Sequence, residues 1–232
     1  MGIGRSGNQL PCGSIDVKMA EGEMARRSHL YCGSVGPVRA WAASLVSSGL
    51  ALQPVEPLAG FPISCTDVRE KCAACHKRGG RALVALGPCV GSCPAIRLGA
   101  DLAWGQLTND RAIAWLADDA AGSVPIPDGL LAPASSGELE LLDCLAKEWA
   151  SRSDSAQVVA SYLACHPRVS EVRYPGLRQD LSFSIAARTL ERGFGPIVDY
   201  RTRGKGEGGW RRYVATADDP FAQVMELERL LA

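Results

Sequence analysis

The stretch from Thr66 to Leu86 constrains the fold of this chain more than any other part of its sequence. Thr66 or Asp67 can cap a helix that continues through VREKCAACHK and ends at Gly79-Gly80. The run ALVAL that follows is apolar at every position, as in a strand buried on both faces of a parallel sheet. A helix, a tight turn and a buried strand form one unit of an α/β domain, so the sequence predicts that class of fold here.

The same helix contains the spacing C-x-x-C-H, which is also the spacing at which haem c is attached to proteins. Haem attachment requires export, and the opening residues MGIGRSGNQLPCGSID lack the apolar core of a signal peptide. A four-thiolate zinc site is another alternative, since Cys72 and Cys75 are followed by Cys89 and Cys93. The spacings differ from the usual zinc pattern, so we expect buried or partly exposed thiols and keep zinc binding as an alternative.

Composition argues against several classes of partner. The chain of 232 residues has 25 basic and 25 acidic side chains and no long run of either sign, so we expect it to bind neither nucleic acid nor anionic membrane. No apolar run approaches the roughly 20 residues that span a bilayer. With nine cysteines, an odd number, and no apparent export signal, the sequence predicts a cytoplasmic protein whose thiols are not all paired.

Three regions are expected along the chain. Residues 1–121 contain a predicted amphipathic helix over 14–30, a helix ending at Gly49, a short strand in LALQPVEP, the α/β unit and a strand at Asp101 to Trp104. Residues 122–136 hold three prolines and several small turn-forming residues, which is typical of a linker. Residues 137–232 are predicted to form an α+β lobe, with a long helix, three strands, a helix over LSFSIAARTLERG and a final helix capped by Asp219.

The C-terminal region resembles a known enzyme family. Its motifs occur in the family order: L-x-x-H-P-x-V at Leu163 to Val169, V-x-Y-P-G-L at Val172 to Leu177, and R-G-F-G-G-M at Arg192 to Ile197, with Pro196 in place of the second glycine. They are similar to the C-terminal domain of the Cys/Met-metabolism enzymes that use pyridoxal phosphate (PLP), the cystathionine γ-synthase and γ-lyase family. Earlier blocks resemble the family more patchily: GRSGNQL is similar to its Y-S-R-S-G-N-P-T, and LGADLAWGQLTND to its L-G-A-D-x-V-x-H-S-x-T-K.

The resemblance implies a fold and a domain division. We expect residues 1–121 to form a reduced large domain like that of fold type I PLP-dependent transferases, followed by the linker 122–136 and a small C-terminal domain of the Cys/Met-metabolism type at 137–232. Between Trp41 and Asp67 the family normally has several strands and helices, including the tyrosine that stacks on the cofactor, whereas this chain has only about 25 residues there.

The resemblance also shows where the catalytic groups should lie. The lysine that forms a Schiff base with PLP closes S-x-T-K, and Asn109 occupies that position here. The acidic partner of the pyridine nitrogen falls at about Val84 to Pro88, where no carboxylate is found. The serine of S-x-T-K, which helps to hold the phosphate, is replaced by Gln106, while Thr108 is kept.

Other family positions are present. Arg5 matches the arginine that reaches the cofactor phosphate of a neighbouring subunit, and Gly33 matches a phosphate-loop glycine. Arg212 matches the arginine that holds the substrate carboxylate, a task for which a guanidinium group is well suited. Thus Arg5, Gly33 and Thr108 are the candidate cofactor-binding residues, and Arg212 is the candidate substrate-binding residue.

From these residues we expect a degenerate homologue of the trans-sulfuration enzymes. The first hypothesis is a pseudoenzyme that forms homo-oligomers, or hetero-oligomers with a family paralogue. The second is a residual enzyme or amino-acid binder that uses Arg212 and holds PLP without a covalent bond. A lysine-linked adduct would instead direct attention to Lys71, Lys77 or Lys147.

Overall fold

The computed structural model describes residues 27–51, 53–203 and 209–231. Its strands are β1 Ser28–Ser34, β2 Leu58–Ala59, β3 Ser64–Cys65, β4 Leu83–Ala85, β5 Leu102–Gln106, β6 Arg111–Ala117, β7 Ala132–Pro133, β8 Val169–Arg173, β9 Ile197–Thr202 and β10 Arg211–Val214. Its helices are α1 Val35–Ser47, α2 Val68–Lys77, α3 Ser136–Cys165, α4 Phe183–Thr189 and α5 Pro220–Leu231, with a short 3-10 turn at Gly87–Cys89.

The α/β unit predicted from the sequence forms as expected. Asp67 caps α2, since its carboxylate accepts a hydrogen bond from the backbone N–H of Glu70 at 3.0 Å. Gly79 then adopts a φ of 74°, which a residue with a side chain rarely tolerates, and this ends the helix. β4 follows as a buried strand and pairs in parallel with β5.

The first sheet is mixed and has the strand order β4-β5-β6-β1-β7. Only β4 and β5 run parallel; β6 is antiparallel to both β5 and β1, and β7 is antiparallel to β1. The sequence analysis did not predict β6, although it is the middle strand. The helix predicted over residues 14–30 is wrong for residues 27–30, the last three of which begin β1, and residues 14–26 lie outside the described ranges.

The predicted linker, residues 122–136, also contributes a strand to the first sheet. Within residues 122–136, Ala132 and Pro133 form β7 and extend the first sheet along the edge of β1. Leu130 and Leu131 pack against the apolar core that includes the first sheet. Ser135 then caps α3 in a reciprocal capping box with Glu138, which fixes where the long helix begins.

The C-terminal lobe has the predicted α+β architecture. Its antiparallel sheet has the order β10-β9-β8; α3 packs on this sheet and α5 packs against α3, around a second apolar core. The R-G-F-G turn leads into β9 and lies against α3. A Cβ atom at Gly193 would be 2.5 Å from the Ser153 side chain, and one at Gly195 would be 2.7 Å from the ring of Trp149. The glycines of this motif therefore allow the turn to pack closely on the helix.

Candidate functional site

The β5–β6 turn lies at the edge of the first sheet where the resemblance places the cofactor. The turn extends from Leu107 to Asp110 and contains Asn109, whose side chain is exposed. It adjoins the junction of β1 and α1, because the N–H of Val35 donates to the carbonyl of Asp110 at 3.0 Å. In the sheet register Gly33 lies opposite Ala112. Two predicted site residues, Gly33 and Thr108, are thus brought to the same sheet edge.

The polar groups of this turn bond to one another. The hydroxyl of Thr108 donates to Asp110 Oδ1 at 2.6 Å and accepts from the backbone N–H of Arg111 at 3.1 Å. The hydrogen bond from Thr108 also lowers the pKa of Asp110, which is therefore ionised at neutral pH. The resemblance assigns Thr108 to the cofactor phosphate, but in this structure its hydroxyl proton is directed to the Asp110 carboxylate.

Arg111 directly follows the turn, and a carboxylate of α3 holds its guanidinium group. The Nε atom of Arg111 donates to Glu138 Oε1 at 3.0 Å, and Nη2 donates to the same oxygen. Burial alone would raise the pKa of Glu138, but the hydrogen bonds from the Ser135 N–H, Arg111 and the Ser135 hydroxyl outweigh it and lower the pKa to about 2. The pair links β6 to the first turn of α3.

Gly33 is required by packing in this structure. A Cβ atom there would be 2.5 Å from the carbonyl oxygen of Leu130 and 2.8 Å from the Val38 side chain. The segment 122–136 therefore covers Gly33 closely. A side chain at position 33 would collide with this segment, so packing alone accounts for the glycine.

The residues at this edge do not fit PLP as the resemblance would require. Asn109 has no amine, and the described lysines lie elsewhere: Lys71 and Lys77 on α2, and Lys147 on α3, where it pairs with Asp143 at 2.7 Å. At β4 and just beyond it, the segment 84–88 that the resemblance assigns to the acidic partner of the pyridine nitrogen contains no carboxylate. Lys18, Lys205 and the predicted phosphate ligand Arg5 lie outside the described residues.

A cleft of about 280 Å³ opens beside the turn, between the first sheet and the C-terminal lobe. Its walls are mostly apolar, with Pro88, Val90, Leu145, Trp149, Pro196, Ile197 and Val214, and its polar groups come from Gln106, Glu148 and Arg152. Arg152 is held by the carbonyl of Ala215, to which its Nε donates at 3.0 Å, and by Glu148, to which Nη1 donates at 3.2 Å. Sequence analysis missed this pair, whose i, i+4 spacing on a helix was its only signal.

Arg212 contacts a buried carboxylate. Its Nε and Nη2 donate to the two oxygens of Asp199 at 2.9 and 2.8 Å, and Nη2 also donates to the carbonyl of Gly60 at 2.6 Å. Asp199 is completely buried and also accepts from the N–H of Ile63 at 2.5 Å. The hydrogen bonds from Arg212 to Asp199 raise the pKa of the guanidinium group. Arg212 thus ties β10 to the β2–β3 loop, and it is not among the residues that line the cleft.

The C-x-x-C-H sequence lies on α2, where its histidine contacts a buried carboxylate. His76 Nε2 lies 2.7 Å from Oδ2 of Asp101, a buried carboxylate at the start of β5. The four cysteines of the zinc alternative are all buried, and within the described ranges no group of three or more His, Cys, Asp or Glu side chains is arranged to hold a metal. Burial raises the pKa of Cys93 to about 12, which disfavours the thiolate that a metal requires.

Comparisons with known proteins agree with the family resemblance. Residues 143–217 match the sequence model of the family described as "Cys/Met metabolism PLP-dependent enzyme". The chain is 40% identical to the cystathionine gamma-synthase of Mycobacterium tuberculosis over 95 residues, which is 40% of this chain and 22% of that enzyme. It is also 31% identical to the chloroplastic mimosinase of Mimosa pudica over 64 residues, 28% of this chain and 14% of that protein. The chain therefore matches only about a fifth or less of the length of these relatives.

Solved structures support the fold over a larger part of the chain. The apo form of CalE6, a methionine gamma lyase from Micromonospora echinospora, aligns with a TM-score of 0.60 over 83% of this chain and 66% of its own, at 20% identity. The cystathionine gamma synthase of Xanthomonas oryzae pv. oryzae aligns with a TM-score of 0.61 over 83% of this chain and 65% of its own, at 18% identity. The predicted resemblance to fold type I PLP-dependent enzymes is confirmed. Among the described helices, none is long and apolar enough to cross a membrane.

Proposed function

We propose that this chain, whose residues 143–217 match the sequence model of the Cys/Met metabolism PLP-dependent enzyme family, is a non-catalytic member of that family that assembles with another of its subunits. One observation carries the proposal: the residue at the Schiff-base position, Asn109, is an exposed amide in a turn whose hydrogen bonds are made within the chain. An amide nitrogen is not a nucleophile towards an aldehyde, so this position cannot bind PLP covalently.

Assembly is the role that remains consistent with the rest of the chain. Family members are typically oligomers, and Arg5 resembles a residue that acts across a subunit boundary in them. The C-terminal lobe has its own apolar core, in which the family motifs pack, so it can present a family-like surface without chemistry at the turn. A second copy of this chain or a catalytically complete paralogue would be the partner.

Native mass spectrometry tests the assembly. The chain is purified alone, and separately after co-expression with a tagged cystathionine gamma-synthase from the same organism. We expect a homo-oligomer in the first sample or a mixed oligomer of defined stoichiometry in the second. A stable monomer in both samples at micromolar concentration would reject the proposed role.

Amino-acid binding is a second candidate, which the cleft between the lobes supports. Clefts for drug-sized ligands span about 300 to 1,000 Å³, so a cleft of about 280 Å³ would take a smaller molecule. The Arg152 guanidinium and the Glu148 carboxylate supply one charge of each sign beside apolar walls, which would complement a zwitterion with an apolar side chain. In this candidate Arg152, rather than Arg212, meets the ligand carboxylate, because Arg152 lines the cleft and Arg212 does not.

Titration calorimetry with L-methionine distinguishes the two arginines. If the cleft binds the amino acid, Arg152→Gln weakens binding about tenfold or more, because a charge-assisted hydrogen bond to the carboxylate is lost. Arg229→Gln, which removes an exposed arginine of α5, is the matched control and leaves binding unchanged. Weakening by Arg212→Gln alone would restore the original assignment, and no heat of binding in the parent protein would reject this candidate.

A further inference from the structure

The hydrogen-bond donors at and beside the β5–β6 turn bond to acceptors within the same chain. Three donors at this edge could serve a phosphate group: the Thr108 hydroxyl, the Arg111 guanidinium and the backbone N–H of Val35 at the start of α1. Each has an acceptor from the same chain, namely the Asp110 carboxylate, the Glu138 carboxylate and the Asp110 carbonyl. Asp110 thus accepts from two of these three donors, with its carboxylate from Thr108 and with its backbone carbonyl from Val35.

We infer that Asp110 keeps phosphate-bearing ligands away from the β5–β6 turn, in addition to the effect of Asn109. The inference rests on the proposed function only for the place at which the cofactor phosphate would lie. It concerns the phosphate group, whereas the identity of residue 109 concerns only the covalent bond.

Two physical effects act through Asp110. A hydroxyl has one proton to donate, and Thr108 directs it to Asp110 Oδ1 at 2.6 Å, so a phosphate oxygen cannot receive it at the same time. Two acceptors at hydrogen-bond distance from one hydroxyl also lie within about 5 Å of each other, where two negative charges repel. Both effects disfavour a phosphate dianion at the turn.

The cationic side chain at this edge does not offset the repulsion. Arg111 directs Nε and Nη2 to Glu138, whose own carboxylate is held ionised by the α3 capping box. A phosphate would therefore face the Asp110 and Glu138 carboxylates around one guanidinium group. The resulting charge at this edge is unfavourable for a phosphate.

The test compares PLP trapping by substituted proteins. Asn109→Lys supplies an amine at the turn, and Asn109→Lys/Asp110→Ser supplies the amine and removes the neighbouring carboxylate. Each protein is incubated with PLP over a range of concentrations and reduced with borohydride. Peptide mass spectrometry then gives the apparent dissociation constant at the introduced amine, and the exposed Lys147, which pairs with Asp143, gives the value for a surface lysine away from the turn.

With the Asp110 carboxylate in place, Asn109→Lys should trap PLP no more tightly than Lys147 does. Removing that carboxylate should lower the apparent dissociation constant at the introduced amine about tenfold. Asn109→Lys/Asp118→Ser changes the net charge equally at the far end of β6 and should give no gain. Equal trapping with and without Asp110, or an equal gain with the Asp118 substitution, would overturn the inference.

A second variant covers any loss of folding. Asp110→Asn keeps the size of the side chain and an acceptor for Thr108 but removes the charge, so in the Asn109→Lys background it should recover part of the gain. Thermal unfolding establishes that each variant is folded before trapping. Covalent PLP in the unsubstituted protein would reject the proposed function, whereas the comparison between the single and double variants would still decide the role of Asp110.

Discussion

The two lobes of this protein differ in what their family-like residues do. In the C-terminal lobe, the residues that carry the resemblance pack: the hydroxyl of Tyr174 contacts the carbonyls of Ser153 and Gly195 at 3.1 Å each, and the glycines of the R-G-F-G turn lie against α3. In the β5–β6 turn, Asn109 stands where the resemblance places the Schiff-base lysine, and the Thr108 hydroxyl donates to Asp110. The family motifs of the C-terminal lobe are thus explained by packing, independently of any chemistry at the β5–β6 turn.

Gly195→Ala is expected to have the largest effect on stability. The new Cβ would lie 2.7 Å from Trp149 and 3.2 Å from Leu58, at a residue with a φ of 93°. We expect the free energy of unfolding to fall by about 2 to 4 kcal/mol, measured by urea denaturation. Gly137→Ala, at a helical glycine with open space around it, is the matched control and should be neutral or slightly stabilising. Equal unfolding midpoints for the two variants would contradict a packing role for the motif.

Asp199→Asn should have the next largest effect, because it breaks a buried ion pair. The Asp199 carboxylate accepts two hydrogen bonds from Arg212 and one from Ile63, and its side chain is fully buried. Allowing for the one-third exposure of Arg212, we expect a loss of about 2 to 3 kcal/mol in the same denaturation experiment. Glu171→Gln on β8, at an exposed position, is the control. An unchanged midpoint for Asp199→Asn would show that Arg212 has no structural part in the lobe.

Glu138→Gln tests the ion pair between Arg111 and Glu138 beside the β5–β6 turn. The pKa of Glu138 is lowered to about 2 from an ordinary 4.5, so its stabilising effect is present above pH 4.5 and is lost as the pH falls towards 2. With allowance for the partial exposure of Arg111, we expect a loss on the order of 1 to 2 kcal/mol at pH 7.

The pH dependence supplies the control for this variant. The difference in unfolding free energy between the parent and Glu138→Gln should shrink between pH 5 and pH 2. Glu140→Gln, an exposed position on the same helix, should show no such dependence. A constant difference across this range would argue that the Arg111–Glu138 pair does not form in solution.

Metal removal should have the smallest effect. The buried cysteines of the C-x-x-C-H region are not grouped as a metal site among the described residues, and their helix is already capped by Asp67. We expect an excess of EDTA to leave the thermal unfolding midpoint unchanged and elemental analysis to find no stoichiometric zinc. A chelator-induced fall in the midpoint, reversed by zinc, would revive the zinc alternative.

The sequence predicted the parts of the fold that have strong local signals. The α2–β4 unit has a cap, a terminating glycine and an apolar run, and the C-terminal lobe has regular periodicity. Strand β6 was missed because RAIAWLA contains three alanines, so its strand conformation depends on pairing between β5 and β1.

The polar contacts of the turn were also beyond local reasoning. Arg111 and Glu138 are 27 positions apart and meet only through the tertiary fold. The capping box, Ser135 followed by Glu138, was a local signal that would have located the start of α3. That Asn109 stands where the resemblance places the lysine was readable from the sequence, whereas the hydrogen bond from Thr108 to Asp110 required the structure.

A spectroscopic titration of the unsubstituted protein with PLP tests the central claim most directly. Absorbance is recorded between 300 and 500 nm as the cofactor is added, and the protein is then reduced with borohydride and its mass measured. If the chain does not bind PLP covalently, we expect the spectrum of free PLP and no stoichiometric gain in mass. A saturable new band with one reducible cofactor per chain would contradict it.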